Sequence, residues 1–248
     1  MGKQSGLGDG LWIGGHDLSG DIGAVSNVGG GLAGTQDVTG INKLAPERVG
    51  LERDGRIEFS AFFNPDLAIG AHAQLSALPR TNQVLTYCRG TGLGSPAACL
   101  VGKQIDYAPT RGADGSLTIA VSAQANGFGL EWGRLGTPGL RTDAAPTDGA
   151  SLDGAATLFG LQAYLHVAAL TGTSVTVTVQ ESADDGASDP WADVVGGAFT
   201  AATAVGAQRI VTARDLTVKR YLRVVTTGTF TAATIGVVLV RNQVEVTF

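Results

Sequence analysis

The sequence predicts a mainly β protein of two domains, with a single short helix in the first. Short runs rich in Val, Ile, Leu, Thr and Phe recur along the chain, separated by clusters of Gly, Asp, Thr and Ala that serve as turns. In residues 174–181 (SVTVTVQE) the valines at 175, 177 and 179 alternate with threonines at 176 and 178, the period of two that half-buries a strand. Only residues 65–78 carry a helical period.

Taken in order, the first domain reads as strands at 11–13, 56–63 (RIEFSAFF), 83–88 (QVLTYC), 97–105 and 116–123 (SLTIAVSA). Asp54-Gly55 and Asp114-Gly115 are turn dipeptides. The stretch 14–49, rich in Gly, Ser, Asp and Thr, reads as a long loop put to functional use. In PDLAIGAHAQLSAL (65–78), Leu67, Ala71, Leu75 and Leu78 fall on one helical face. Asn64 stands as N-cap, Pro65 at the first helical position and Pro79 just beyond the end.

Residues 136–156 (GTPGLRTDAAPTDGASLDGAA) have no hydrophobic period and read as a linker, placed at 139–154 between domains 1–138 and 155–248. Beyond it, 158–168 (LFGLQAYLHVA), 174–181, 208–212, 220–226 and 235–241 are again strand runs. No helical pattern intervenes, so there is no βαβ crossover and an antiparallel β-sandwich follows.

Composition narrows the function. Glycine numbers 37 of 248 residues, about twice ordinary usage, yet there is no G-X-Y period and 44% of residues are hydrophobic, which excludes collagen-like and disordered classes. No apolar run approaches the roughly 20 residues of a membrane span, and MGKQSGLGDG at the start has no apolar segment of a signal peptide. The net charge of -5 lacks the basic excess of a protein that grips nucleic-acid phosphates. Two cysteines, Cys88 and Cys99, are too few for a disulfide framework, and with His16, His72 and His166 too few for a zinc cluster. They read as small, buried thiols.

Motifs of catalysis fail one by one. Gly90-Thr91-Gly92-Leu93-Gly94-Ser95 has serine in place of the third glycine of a dinucleotide loop and no helix after it. Gly102-Lys103 follows Ala97 and precedes Gln104, so it is no phosphate loop. There is no G-x-S-x-G. His72 falls on the expected helix, His166 reads as an outward residue of an alternating strand, and His16 lies in the glycine-rich stretch. The acidic group Asp184, Asp185, Asp189 and Asp193 invites a calcium reading, but it lacks EF-hand spacing and reads as a solvated turn. Trp191 beside it is either a sugar platform or a core anchor. Neither Glu131 nor Glu181 stands out as one of a glycosidase pair. No catalytic, cofactor-binding or metal-binding residue is therefore assigned, and no enzyme is expected.

A family resemblance supplies what the motifs do not. HDLSGDIGAVSNV (16–28), DVTGINKLAPERVGLERDGRIEFSAFFNP (37–65), AHAQLSALP (71–79), GKQIDYAPTRGADGSL (102–117) and ANGFGLEWG (125–133) resemble the major tail proteins of long-tailed bacteriophages, notably those of actinobacterial hosts. The resemblance covers about residues 10–140. SVTVTVQESADD and KRYLRVVTTGTFTAATIGVVLVRN are similar to the distal domain often attached to such proteins.

It implies an N-terminal tail-tube-like β-sandwich or barrel domain and a C-terminal β-sandwich decoration domain. It also implies a virion subunit, assembled in the host cytoplasm, whose hexameric rings stack into a tail tube. The implied partners are further copies of the chain, a tape-measure protein, tail-terminator or baseplate proteins, DNA in passage without specific binding, and host-surface glycans at the C-terminal domain. No cofactor is implied. The alternatives are another virion structural protein, such as a minor tail or decoration subunit, or a carbohydrate-binding β-sandwich protein. A weakly acidic bore would let a polyanion slide, head-to-tail contacts that do not close build a filament, and the loop 14–49 is the expected ring-to-ring contact.

Overall fold

Strands form where the sequence alternates, and the computed structural model, which describes residues 5–244, is mainly β with antiparallel pairing and one short helix. Along the chain run β1 (Gly10–Ile13), β2 (His16–Asp17), β3 (Ile22–Leu32), β4 (Thr35–Asp37), β5 (Arg48–Gly50), β6 (Arg53–Phe62), α1 (Ala71–Leu75), β7 (Gln83–Cys88), β8 (Pro96–Gln104), β9 (Ala108–Arg111) and β10 (Leu117–Ala125). There follow β11 (Glu131–Leu135), β12 (Arg141–Asp143), β13 (Thr147–Asp148), β14 (Leu152–Asp153), β15 (Leu161–Ser182), β16 (Ala192–Ala198), β17 (Gly206–Val211) and β18 (Tyr221–Arg241). The strand order has open ends, so the barrel among the expectations does not form.

Two compact units emerge, each discontinuous in sequence. The first comprises the described residues up to Gly20, then Val84–Cys99, then Trp132 onward; the second comprises Asp21–Gln83 and Leu100–Glu131. This division differs from one placed at 139–154. The expected linker carries three short strands: β12, β13 and β14 each pair with β18, at Thr142↔Thr234, Thr147↔Thr226 and Leu152↔Leu222. Hydrophobic period is absent there because backbone pairing and polar side chains make most of the attachment. Asp143, buried, accepts from Arg141 Nη2 at 2.8 Å and from Thr226 Oγ1 at 2.7 Å, which pins the segment further.

The first unit is organised by β15 and β18, which pair from Leu161↔Arg241 to Ser182↔Tyr221. The sequence suggested four separate strands here. A straight 22-residue strand would run about 70 Å, yet Leu161, Ala163, Leu165, Val167 and Val175, Val177, Val179 share one buried cluster with Leu222, Val224, Phe230, Ile235, Val237 and Leu239. The pair must therefore fold over on itself. The bend lies where the register slips, between Val167 and Ala169 and again on both sides of Gly172. Gly172 (φ 146°) and Gly228 (φ 117°) are required there, since a Cβ would meet Phe230 Cα at 2.4 Å or the Ser174 carbonyl oxygen at 2.5 Å.

Because one β15 face fills that cluster, Gln162, Tyr164 and His166 point the other way, and they too are buried. The cover is β1 with β7, which pair from Gly10↔Cys88 to Ile13↔Leu85. Trp12 places its ring 5.7 Å from that of His166, edge to face. His166 is thus not the outward residue of an alternation: both faces of this strand are dry.

In the second unit β6 is central, pairing β10 at Phe59↔Val121 and β3 at Val28↔Ile57, while β9 extends β10 and three residues of β8 join it at Gln124↔Lys103. Ile57, Phe59 and Ala61 alternate with more exposed neighbours and bury with Ile119, Val121 and Ala123. The stretch expected to be one long loop contains strands as well, namely β3 and the hairpin β4–β5. One of its glycines, Gly30, has a packing reason. Gly30 and Gly55 face each other in register, and a Cβ on either would meet Leu130 Cβ at 2.6 Å.

The helix is shorter than the period predicts. Asn64 is not an N-cap: its Oδ1 accepts from Asp66 N–H at 3.1 Å, and Asp66 Oδ1 from Ala68 N–H at 2.8 Å, which turns the chain before a helix starts. The helix begins at Ala71, whose N–H is taken by Asp21 Oδ2 at 2.8 Å.

Candidate assembly surface

A subunit built to contact others should show apolar groups that its own fold leaves uncovered, and the second unit has them on an arm formed by residues 31–52. The ladder of β3 and β6 continues into it through Ala33 N–H to the Glu52 carbonyl at 2.8 Å and Leu51 N–H to the Gly34 carbonyl at 3.0 Å. β4 and β5 then pair at Gln36↔Val49. Near the tip Asp37 Oδ1 accepts from Thr39 N–H at 2.9 Å, and Thr39 Oγ1 accepts from Glu47 N–H at 2.9 Å. Lys43 and Glu47 pair at 2.9 Å.

This backbone order supports large apolar side chains that stay wholly or half in water. Ile41 and Leu44 are fully exposed, and Leu32, Val38, Val49 and Leu51 are about half exposed. An isolated two-stranded hairpin is marginal in water, and exposed apolar groups gathered on one element mark an interaction site. The sequence hid this. Its Gly, Ser, Asp and Thr content points to a loop, whereas the useful signal is the large apolar residues scattered within it.

The same unit carries a second uncovered apolar group, comprising Phe62, Phe63, Leu67, Ile69, Leu78 and Ile105. It surrounds α1, with Gln104 Nε2 donating to the Leu75 carbonyl at 2.8 Å. His72 belongs to this region rather than to any catalytic set: its Nδ1 lies 2.5 Å from Tyr107 Oη and its ring centroid 4.6 Å from that of Phe63.

The remaining candidates are engaged structurally. In the first unit His166 Nδ1 accepts from Gly15 N–H at 3.2 Å, which puts the proton on Nε2, and that donates to Thr86 Oγ1 at 2.9 Å. Burial pushes the imidazole pKa down to about 3, so it is neutral. Thr86 Oγ1 also lies 3.5 Å from Cys99 Sγ. Cys88, free and buried, has its thiol pushed up to about 12 by loss of solvent, which makes it inert. His16, partly buried, is shifted down by desolvation.

Asp184 accepts from Ser188 Oγ and from the N–H groups of Ala187, Ser188 and Asp189; with the Ser188 hydroxyl as the leading cause, its carboxyl is held down to about 2. Asp189 pairs with Lys219 Nζ at 2.7 Å, and Asp193 accepts from Gln180 Nε2 at 2.8 Å. Asp185 sits at φ 63° in the same turn. The acidic residues therefore hold the loop's own donors rather than converging on a point, and no group of three metal-ligating side chains occurs among the described residues. Trp191 is half-buried, with the Arg223 guanidinium 4.7 Å over its ring.

No family model matches the chain, and no curated protein matches it in sequence. Among solved structures it is similar to the Dit protein of phage SPP1, described as a paradigm of the hub adsorption apparatus in phages infecting Gram-positive hosts, at 12% identity over 94% of this chain and 99% of that one, with a TM-score of 0.35. It is also similar to chains of the phage p2 baseplate in its activated conformation. The strontium form gives 11% identity over 96% of this chain and 99% of that one with a TM-score of 0.31, and the calcium form 11% over the same shares with 0.33.

Proposed function

We propose that the chain is a structural subunit of a bacteriophage tail. In this reading copies associate as hexameric rings that stack into a tube for DNA delivery, and the arm of one copy docks on the apolar surface around α1 of the next. The observation that carries it is the arm itself: an ordered, hydrogen-bonded extension whose large apolar side chains lie in solvent. The resemblance of residues 10–140 to major tail proteins supports the tail assignment. The weakly acidic balance suits a conduit for DNA. Because arm and receiving surface are different patches of one molecule, the contact is head to tail and repeats without a built-in stop.

Electron microscopy of the purified chain at high concentration tests this, with Ile41→Asp/Leu44→Asp as the control. Tubes of uniform bore are expected from the natural chain, and a folded monomer from the variant. Single rings without stacking would instead identify a hub or another ring component of the tail, and persistent monomers of the natural chain would overturn the tail reading.

A further inference from the structure

The first unit contains a cavity of about 420 Å³ that the assembly surface does not involve. It is bounded by β11, β14 and the end of β18, and its size lies within the roughly 300–1,000 Å³ of small-ligand sites. Trp132 borders it on β11 with about half of its surface (51%) exposed, unlike Trp12, which is buried, and Trp191, which lies under Arg223. An indole left open beside a pocket offers a flat apolar face.

Two guanidinium groups line the same cavity, from Arg134 and Arg241. Arg241 is fixed: Nη1 donates to the Ala155 and Lys219 carbonyls at 2.8 and 2.6 Å, and Nη2 to the Arg220 carbonyl at 2.7 Å. Those bonds use three of its five N–H groups. The other two, on Nε and Nη2, have no acceptor among the described residues. Access to them depends on Gly154, where a Cβ would stand 3.3 Å from Nε and 3.5 Å from Cζ and Nη2. The carboxylates nearby bond to other groups, Asp153 to Arg220 at 2.7 and 2.8 Å and Glu181 to Lys219 N–H at 2.8 Å, and they act on Arg241 only through their charge. Arg134 is exposed and adds a second positive charge. An immobilised cation with donors to spare, a second cation and an open indole form a built recognition site.

We propose that this pocket binds a sugar ring carrying one anionic group, a carboxylate or a phosphate, with the ring stacked on Trp132 and the anion held by Arg241 and Arg134. The site stands apart from the tail assignment, so either can fail without the other.

Isothermal titration calorimetry of the whole chain with glucose 6-phosphate, glucuronic acid, glucose, inorganic phosphate and a short glutamate peptide tests it. Saturable binding of the two anionic sugars is expected, with glucose and phosphate each at least about tenfold weaker. Trp132→Ala, at a half-exposed position, and Gly154→Ala, which places a methyl over the guanidinium, should each weaken the anionic sugars by about tenfold while circular dichroism stays unchanged. Absence of saturable binding by both anionic sugars overturns the proposal, as does binding that survives both substitutions. Phosphate binding as tightly as the sugar phosphate removes the role of Trp132. Binding of the glutamate peptide alone makes this a peptide site and likewise overturns the sugar assignment.

Discussion

The inner strands of the first unit and the arm of the second use the same residue types to opposite ends. In β15 every residue from Leu161 to Val167 is buried, and even the imidazole of His166 is enclosed and satisfied. In the arm, the turn region that joins β4 to β5 leaves Ile41 and Leu44 wholly in water. Hydrogen bonding shapes both regions, but burial stabilises only the first within a single chain. The second gains its burial only if another surface provides it, which separates a region evolved to hold the subunit together from one left for contact.

The largest expected effect that sharpens this contrast is acid sensitivity centred on His166. Its folded pKa of about 3 lies below the unfolded value of 6.5, so the unfolded chain binds a proton that the folded chain refuses. Its contribution is fully present above pH 6.5 and is lost as pH falls, by about 1.4 kcal/mol per unit and on the order of 5 kcal/mol by pH 3. Urea titrations between pH 7 and 5 should show that slope, and His166→Gln should flatten it; an equal slope in the variant would show that the imidazole is not enclosed.

Next comes a matched pair of truncations. Leu165→Ala, in the buried cluster, is expected to cost about 2–5 kcal/mol, whereas Leu44→Ala in the arm should stay within about 0.5 kcal/mol. Chemical denaturation of dilute protein measures both, and a large loss at Leu44 would mean that the arm packs on its own subunit. Smallest is the response to calcium. Because Asp184 and Asp189 already hold donors of their own loop and Lys219, millimolar calcium followed by a chelator should leave Tm unchanged, and a calcium-dependent rise would show that the carboxylates converge on a cation.

How far the sequence disclosed all this depends on what each segment buries. Residues 83–88 and 174–179 declared themselves as strand because their side chains face a core directly. The middles of β15 and β18 did not, since Thr, Gly and Ala at 171–174 and 226–234 carry no hydrophobic period; their strand character exists only in the register each finds on the other. The same holds for 139–154, where short strands attach through β18 backbone pairing and polar side-chain bonds that leave no hydrophobic period. At 65–78 a true helical spacing was outcompeted by the Asx turns of Asn64 and Asp66. Of the two candidate sites, the arm at 31–52 largely overlaps the stretch 14–49 that reads as a functional loop, but it is a hairpin. The pocket was invisible, because Trp132, Gly154 and Arg241 are separated in the chain and no local pattern sets Trp132 apart from Trp12 or Trp191.

By itself the sequence determined the strand content, the antiparallel character, the burial of the two cysteines and the absence of a recognisable catalytic motif. These follow from local composition and period, which need no knowledge of partners. Tertiary structure decided the rest: the discontinuous units, the fold-over of β15 upon β18, the burial of His166, the exposure of Ile41 and Leu44, and the meeting of Trp132 with Arg241. Each of these depends on which segment lies opposite which, and that is fixed by long-range pairing that no window of sequence contains.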